Sequence, residues 1–178
     1  DPTLNTHNIP KFLQHVLERI DLSRDLHFHT KTTIDTLDYS GTGINAGSKV
    51  AIAVAGEKKR ELWQEIPSSF SLPHTFDKFK MVMPGVLAVE APKFKDFEET
   101  QKEIEILNST LKDSDLRELP LIILCDDAGF AAETINNFVW VTFTRSNPSH
   151  DIYGINSFTE HKHWGCKGPL IIDARIKP

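Results

Sequence analysis

Residues 127–152 run against residues 1–26 without a gap, and any fold for this chain has to treat the two stretches alike. With Asp127 on Asp1, Ile135 falls on Ile9, Phe138 on Phe12, Arg145 on Arg19, Ser149 on Ser23 and Asp151 on Asp25, six identities in 26 positions. The densest match sets RIDLSRDL (Arg19 to Leu26) against RSNPSHDI (Arg145 to Ile152), where a helix would end and a strand begin. Two copies suggest one supersecondary unit used twice, because a solenoid needs at least ~3 repeats to bury its core.

The pairing also decides an ambiguous segment. Alone, Asn137 to Thr144 (NFVWVTFT) is rich in β-branched and aromatic residues and reads as a strand. Its partner puts Ile9, Phe12, Leu13, Val16, Leu17 and Ile20 on one face at helical spacing. Ile135, Phe138, Val139 and Thr142 keep that face, so both segments are predicted to be helices. Trp140, Val141 and Phe143 make the second apolar almost all round, the pattern of a buried helix.

At 178 residues the chain can bury a proper core. A net charge of −5 without a basic run argues against nucleic acid as a partner. Two cysteines make no disulfide framework, which points to a reducing, cytoplasmic setting. The longest apolar run, Leu119 to Cys125, is interrupted by Pro120 and falls far short of the ~18 residues of a membrane span. No signal peptide is apparent. The chain opens at Asp1, without methionine, in what reads as a strand-to-helix loop, so a fragment of a longer polypeptide is expected.

In chain order, helix 9–20 carries Pro10 in its first turn and Arg19 near its negative end. DLHFHT (Asp25 to Thr30) alternates as a strand does, and a polar loop from Lys31 to Gly47 leads to KVAIAVAG (Lys49 to Gly56), expected as an interior strand. Glu57 to Ile66 suggests a short helix, and Pro67 to Pro84, with three prolines, a loop wrapping the core. A βαβ unit follows, with strands Val86 to Ala91 and Leu121 to Cys125 around helix 95–112, which sets Phe94, Phe97, Ile104, Leu107 and Leu111 on one face. A strand near Asp151 to Ile155 and a last one at Gly168 to Ala174 complete the pattern. The expected fold is α/β, a mostly parallel sheet flanked by helices, with an internal repeat of an α-β-loop-β unit. Residues 1–66 form the first unit, and residues 67–178 the βαβ and the second, within one compact domain.

Few residues point to chemistry. Gly41, Gly43 and Gly47 lead into a strand, whereas a dinucleotide loop must open a helix, so they read as a flexible loop. His27 and His29, and His161 and His163, stand two apart, with Cys166 near the second pair; none of this matches a closed zinc site. Surface or half-buried histidines are expected, with no metal. Asp126 and Asp127 end a strand, where open α/β sheets bind ligands, although a helix cap explains one of them as well. The cap is preferred, since Asp1 holds the same place in the other repeat.

The order of a helix, RIDLSRDLHF, a polar loop and GSKVAIA resembles the C-terminal domain of UbiD-type decarboxylases, the 3-polyprenyl-4-hydroxybenzoate carboxy-lyase family. The second copy, from LPLIILCDDAGF through KGPLIIDARIKP, is similar too: Asp126-Asp127 resembles the family's acidic strand end and Ile171 to Ala174 its terminal strand. The resemblance covers most of residues 1–56 and 119–178. It implies part of a lyase acting on aromatic or α,β-unsaturated acids, among them polyprenyl-hydroxybenzoate in quinone biosynthesis, with prenylated FMN, manganese and potassium. The family's catalytic Arg and Glu motifs, which lie in upstream domains, have no match here. The chain is therefore expected to cover the active-site mouth and build a homo-oligomer, with the upstream domains of its own polypeptide as partners. The resemblance also makes Asp35, Thr36 and Leu37 substrate-adjacent, with Asp35 where the family often has a bulky aromatic; an Asx turn is the competing account of Asp35. A different class of function stays open beside this one, a non-catalytic small-molecule-binding or assembly module.

Overall fold

The structure, a computed structural model, describes residues 3–35, 43, 45–112 and 114–178. Helix α1 (Ile9–Arg19) begins where the Asn8 side chain accepts the Lys11 N–H at 3.2 Å, and Arg19 closes it by donating to the His15 carbonyl at 3.1 Å. Strands β1 (Leu26–Thr32) and β2 (Gly47–Ile52) pair antiparallel as a separate ribbon. The central sheet contains β3 (Phe79–Met83), β4 (Val86–Glu90), β5 (Leu121–Cys125), β6 (Ile152–Gly154) and β9 (Leu170–Asp173), in the order β3-β4-β5-β9-β6. Helix α2 (Phe97–Leu111) connects β4 to β5. Helices α3 (Ala128–Glu133), α4 (Ile135–Thr144) and α5 (Pro148–Asp151) lie between β5 and β6, and a hairpin of β7 (Ser157–Glu160) and β8 (His163–Cys166) precedes β9.

The strands have two buried faces, and their side chains alternate between two cores. Val86, Ala88, Ile123 and Ile172 meet α1, α3, α4 and the ribbon through Leu17, Leu26, Ala131 and Phe138. Leu87, Val89, Ile122 and Ile171 meet α2 through Ile104, Leu107 and Leu111, with Phe76 fully buried beside them. All five residues of β5 are buried, which explains its unbroken apolar run. The α/β class is as expected, and Asn137 to Thr144 is helical, as the pairing with α1 predicts.

Several expectations are corrected. The sheet is mixed rather than mostly parallel: β4-β5 and β5-β9 are parallel, while β3-β4 and β6-β9 are antiparallel. The antiparallel edge β3 lies inside the stretch read as loop, and a Pro84-Gly85 turn with Gly85 at φ 74° folds it straight back on β4. Glu57 to Ile66 is not a helix. It is irregular chain held from outside, as Lys59 and Arg60 donate to the Glu18 carbonyl, Trp63 to that of Glu118, and Gly85 to that of Trp63. Strand β2 is not interior; Ile52 is 44 % exposed. Nor is α4 buried all round, since Trp140 and Phe143 face outward, with Phe130 edge-on to Trp140 and Arg145 over its ring.

The turns that lead into β1 and β6 share their hydrogen bonds. Asp25 Oδ2 accepts the Asp21 N–H at 2.9 Å, and Asp151 Oδ2 accepts the Asn147 N–H at 2.6 Å. The Ser23 N–H and hydroxyl donate to Asp21 Oδ1, and those of Ser149 to Asn147 Oδ1. Strand β8 packs directly on the first of these turns, with Cys166 N–H donating to the Leu22 carbonyl at 3.1 Å. A Cβ on Gly165 would lie 2.9 Å from both Cα and O of Ser23 and 3.0 Å from the Leu22 carbonyl, all backbone atoms that cannot turn aside. Gly165→Ala should therefore cost about 1–3 kcal/mol of stability by urea denaturation. Gly43→Ala, where nothing lies within 4 Å, should cost less than the Gly165 change and serves as its control.

Candidate functional site at the carboxyl ends of the central strands

Because β4, β5 and β9 are parallel, Glu90, Cys125 and Asp173 end on one edge of the sheet, the side on which open α/β sheets receive ligands. Asp127 caps α3 by accepting the Phe130 N–H at 2.8 Å. Asp126 accepts from the Ile176 N–H at 2.9 Å and from Arg145 at 3.3 Å. Both acids expected at this strand end thus serve the fold.

Beneath them lies a buried ionic cluster that sequence reading missed. Arg175, 1 % exposed, donates Nε and Nη2 to the two Asp173 oxygens at 2.9 Å each, Nη1 to Glu103 and to the Pro92 carbonyl at 2.7 Å, and Nη2 to Thr100 at 3.0 Å. These bonds use all five N–H donors of a guanidinium. Lys177 donates to the Asp173 carbonyl at 2.9 Å and sits 3.4 Å from Asp151 Oδ1, an ion pair without hydrogen-bond geometry. The signal was in the sequence, in the Asp173-x-Arg175-x-Lys177 spacing that ends the chain, but its partners Thr100 and Glu103 lie far upstream.

Three carboxylates, Glu103, Asp151 and Asp173, share two cations, Arg175 and Lys177. Burial raises the Glu103 pKa against the pull of Arg175. Burial likewise raises that of Asp151, and the Asn147 N–H and Lys177 only partly offset it. Burial would lower the Arg175 pKa, but the bond and charge of Asp173, with those of Glu103, leave it raised. Burial pushes the Cys125 and Cys166 thiols up to about 12, so neither is a thiolate nucleophile near neutral pH. The Tyr153 phenol is raised as well, first by burial and then by Asp173.

The two histidine pairs, by contrast, meet. His27 and His29 of β1 and His161 and His163 of the β7-β8 hairpin line one groove of about 540 Å³. The His27 and His163 rings lie 6.1 Å apart, and Phe28 and Trp164 pack edge-to-face at 5.4 Å. Among the described residues no three of His, Cys, Asp and Glu are set to hold a metal ion. The ionic cluster is closed by its own arginine and lysine, so these residues do not fit the family's metal. Asp35 is exposed, directly after buried Ile34; Thr36 and Leu37 lie outside the described residues.

Residues 1–54 match the model of the 3-octaprenyl-4-hydroxybenzoate carboxy-lyase C-terminal domain. A Chlamydia pneumoniae protein, named as one of the subunits of a 4-hydroxybenzoate decarboxylase, is 34 % identical over 169 residues, which are 93 % of this chain and 26 % of that protein. The chain is thus similar to the C-terminal domain of the UbiD-type decarboxylases. An uncharacterized protein of Chlamydia trachomatis serovar D is 33 % identical over 179 residues, 100 % of this chain and 29 % of its own length. Another, from Chlamydia muridarum, is 32 % identical over the same span. The chain thus spans less than a third of the curated relatives it matches. No solved structure matches it.

Arg175→Met should lower stability by about 3–5 kcal/mol, because Asp173 and Glu103 would be left buried without their cation. Calorimetric unfolding of the two proteins measures the loss. Asp151 generates an expectation about pH. Its folded pKa is raised, so its contribution is complete below the unfolded carboxylate pKa and is lost as pH rises through the folded one. Urea titrations across that range should show wild type losing ground to Asp151→Asn as pH increases; parallel curves would remove Asp151 from the linkage.

Proposed function

We propose that this chain is the active-site-covering, oligomer-building part of a non-oxidative decarboxylase of aromatic or α,β-unsaturated acids, with polyprenyl-hydroxybenzoate of quinone biosynthesis among the candidates. The observation that carries the reading is the family match over residues 1–54, extended across the chain by similarity to part of a named decarboxylase. In this reading prenylated FMN, manganese and potassium belong to the rest of a longer, cytoplasmic polypeptide, whose domains are this chain's partners. The closed ionic cluster supports that division, since its donors and acceptors are spent on one another. Among the described residues no helix is long and apolar enough to cross a membrane.

The loop after β1 is the proposed substrate-side segment, with Asp35, Thr36 and Leu37 facing the acid. Support comes from the register. Strand β1 belongs to the family-matched segment and ends at Thr32, after which Ile34 is buried and Asp35 exposed. We also infer that residues 1–26 and 127–152 are copies of one unit. The shared aspartate turns support this, as does the shared register of the strands that follow: Leu26 pairs with Ile52 and Ile152 with Ile172, both antiparallel. The two units, 1–66 and 67–178, then form one body around a common core that takes Leu17 and Leu26 from the first and Ile123 and Phe138 from the second.

A non-catalytic binding module is the second reading, favoured by the histidine groove, which offers a cavity without a metal set. Carbon dioxide release separates the two. A longer polypeptide carrying this chain, supplied with prenylated FMN, manganese and a panel of aromatic acids, should decarboxylate, whereas the 178 residues alone should not. In the longer enzyme, Asp35→Asn and Leu37→Ala should change the ratios of kcat/KM among acids; unchanged ratios in both variants would take the loop out of the site.

A further inference from the structure

The histidine groove is one-sided in charge. Among the described residues its ionisable lining consists of four imidazoles and the Lys162 ammonium, with no carboxylate, in a chain whose net charge is −5. Its floor is apolar, built on the edge-to-face pair of Phe28 and Trp164. The Nε2 atom of His163 is buried and has no hydrogen-bond partner, an arrangement that folded proteins rarely leave without a ligand or water. His161 and Lys162 sit at φ 49° and 66° in the two-residue turn between β7 and β8, a conformation usually left to Gly or Asn, which sets the cationic turn at the mouth of the groove.

We propose that this groove binds an organic anion, its flat apolar body against Phe28 and Trp164 and its acidic group held by His27, His163 and Lys162. An imidazole is a poor anion holder when neutral and gains a charged donor on protonation, so binding should strengthen as pH falls. The charged groups in register with the imidazoles are Lys49, opposite His29, and Glu160, opposite His163. Lys49 adds to the positive field, and Glu160 offsets only part of it. The proposal stands on the groove alone and holds whether or not a longer polypeptide decarboxylates anything.

An aryl carboxylate and an aryl phosphate share this chemistry, and titration calorimetry with benzoate, phenyl phosphate and inorganic phosphate tells them apart. Both aryl anions should bind the 178-residue chain about tenfold more tightly near pH 6 than near pH 8, and phenyl phosphate should outbind inorganic phosphate. Whichever aryl anion binds better names the acidic group. His27→Gln and Lys162→Gln, at exposed positions, should each weaken binding several-fold with an unchanged circular dichroism spectrum. Trp164→Leu should erase the advantage of the aryl anions. Imidazole NMR signals that respond should be those of the groove and not those of His7 or His74. Equal affinity at both pH values, no heat, or responses confined to His7 and His74 would overturn the proposal.

Discussion

A guanidinium buried to 1 % exposure cannot be left to chance, and the architecture of the sheet's carboxyl edge follows from housing Arg175. An arginine does not escape burial by losing its proton, so every N–H must find an acceptor in place. Asp173, two residues earlier on β9, gives a bidentate partner; Glu103 and Thr100 come from α2, and the Pro92 carbonyl from the chain just beyond β4. The arginine therefore fixes where α2 starts relative to two parallel strands. Such a cluster adds little net stability over an apolar core, but losing one partner is expensive, which makes it a device for specifying one arrangement.

The parts of this fold legible in the sequence are those set by periodicity over many residues. Leu13 and Leu17 of α1, Ile104 and Leu107 of α2, and the unbroken β5 declare themselves by spacing alone. The helical state of Phe138 to Thr144 needed more, since local preference points to strand and only the alignment with Phe12 reverses it. Short antiparallel pieces stayed hidden. Strand β3 reads FKMVM between prolines, and the β7-β8 hairpin turns on His161-Lys162, residues that no turn preference would choose. The site divides along the same line. Asp127 was readable as a cap because that bond is local, whereas the ionic cluster joins Asp173 to Thr100 and Glu103 across the fold. The histidine pairs were visible as pairs, but their meeting depends on packing the first ribbon beside the hairpin.

Asp25 and Asp151 show how far a shared local geometry can diverge in chemistry. Each accepts the N–H four residues back in an equivalent turn, and each is almost fully buried. Burial would raise the Asp25 pKa, but the Arg24 hydrogen bond at 2.8 Å, the Asp21 N–H and the charges of Arg24 and Lys59 outweigh it and leave the pKa lowered. Asp151 has its lysine at 3.4 Å without a hydrogen bond, and Asp173 nearby adds repulsion, so burial prevails and the pKa is raised. The signs of linkage are opposite. What Asp25 contributes is present above the unfolded carboxylate pKa and is lost as pH falls through its folded value, whereas the Asp151 contribution fades as pH rises. One turn geometry thus carries an anchor for the exposed ribbon whose pKa is lowered and a carboxyl group beside the sheet whose pKa is raised. The difference comes from neighbours that the turn itself does not specify: an arginine adjacent in sequence in the first case, and the crowded charges of Asp173 and Lys177, at and just beyond β9, in the second.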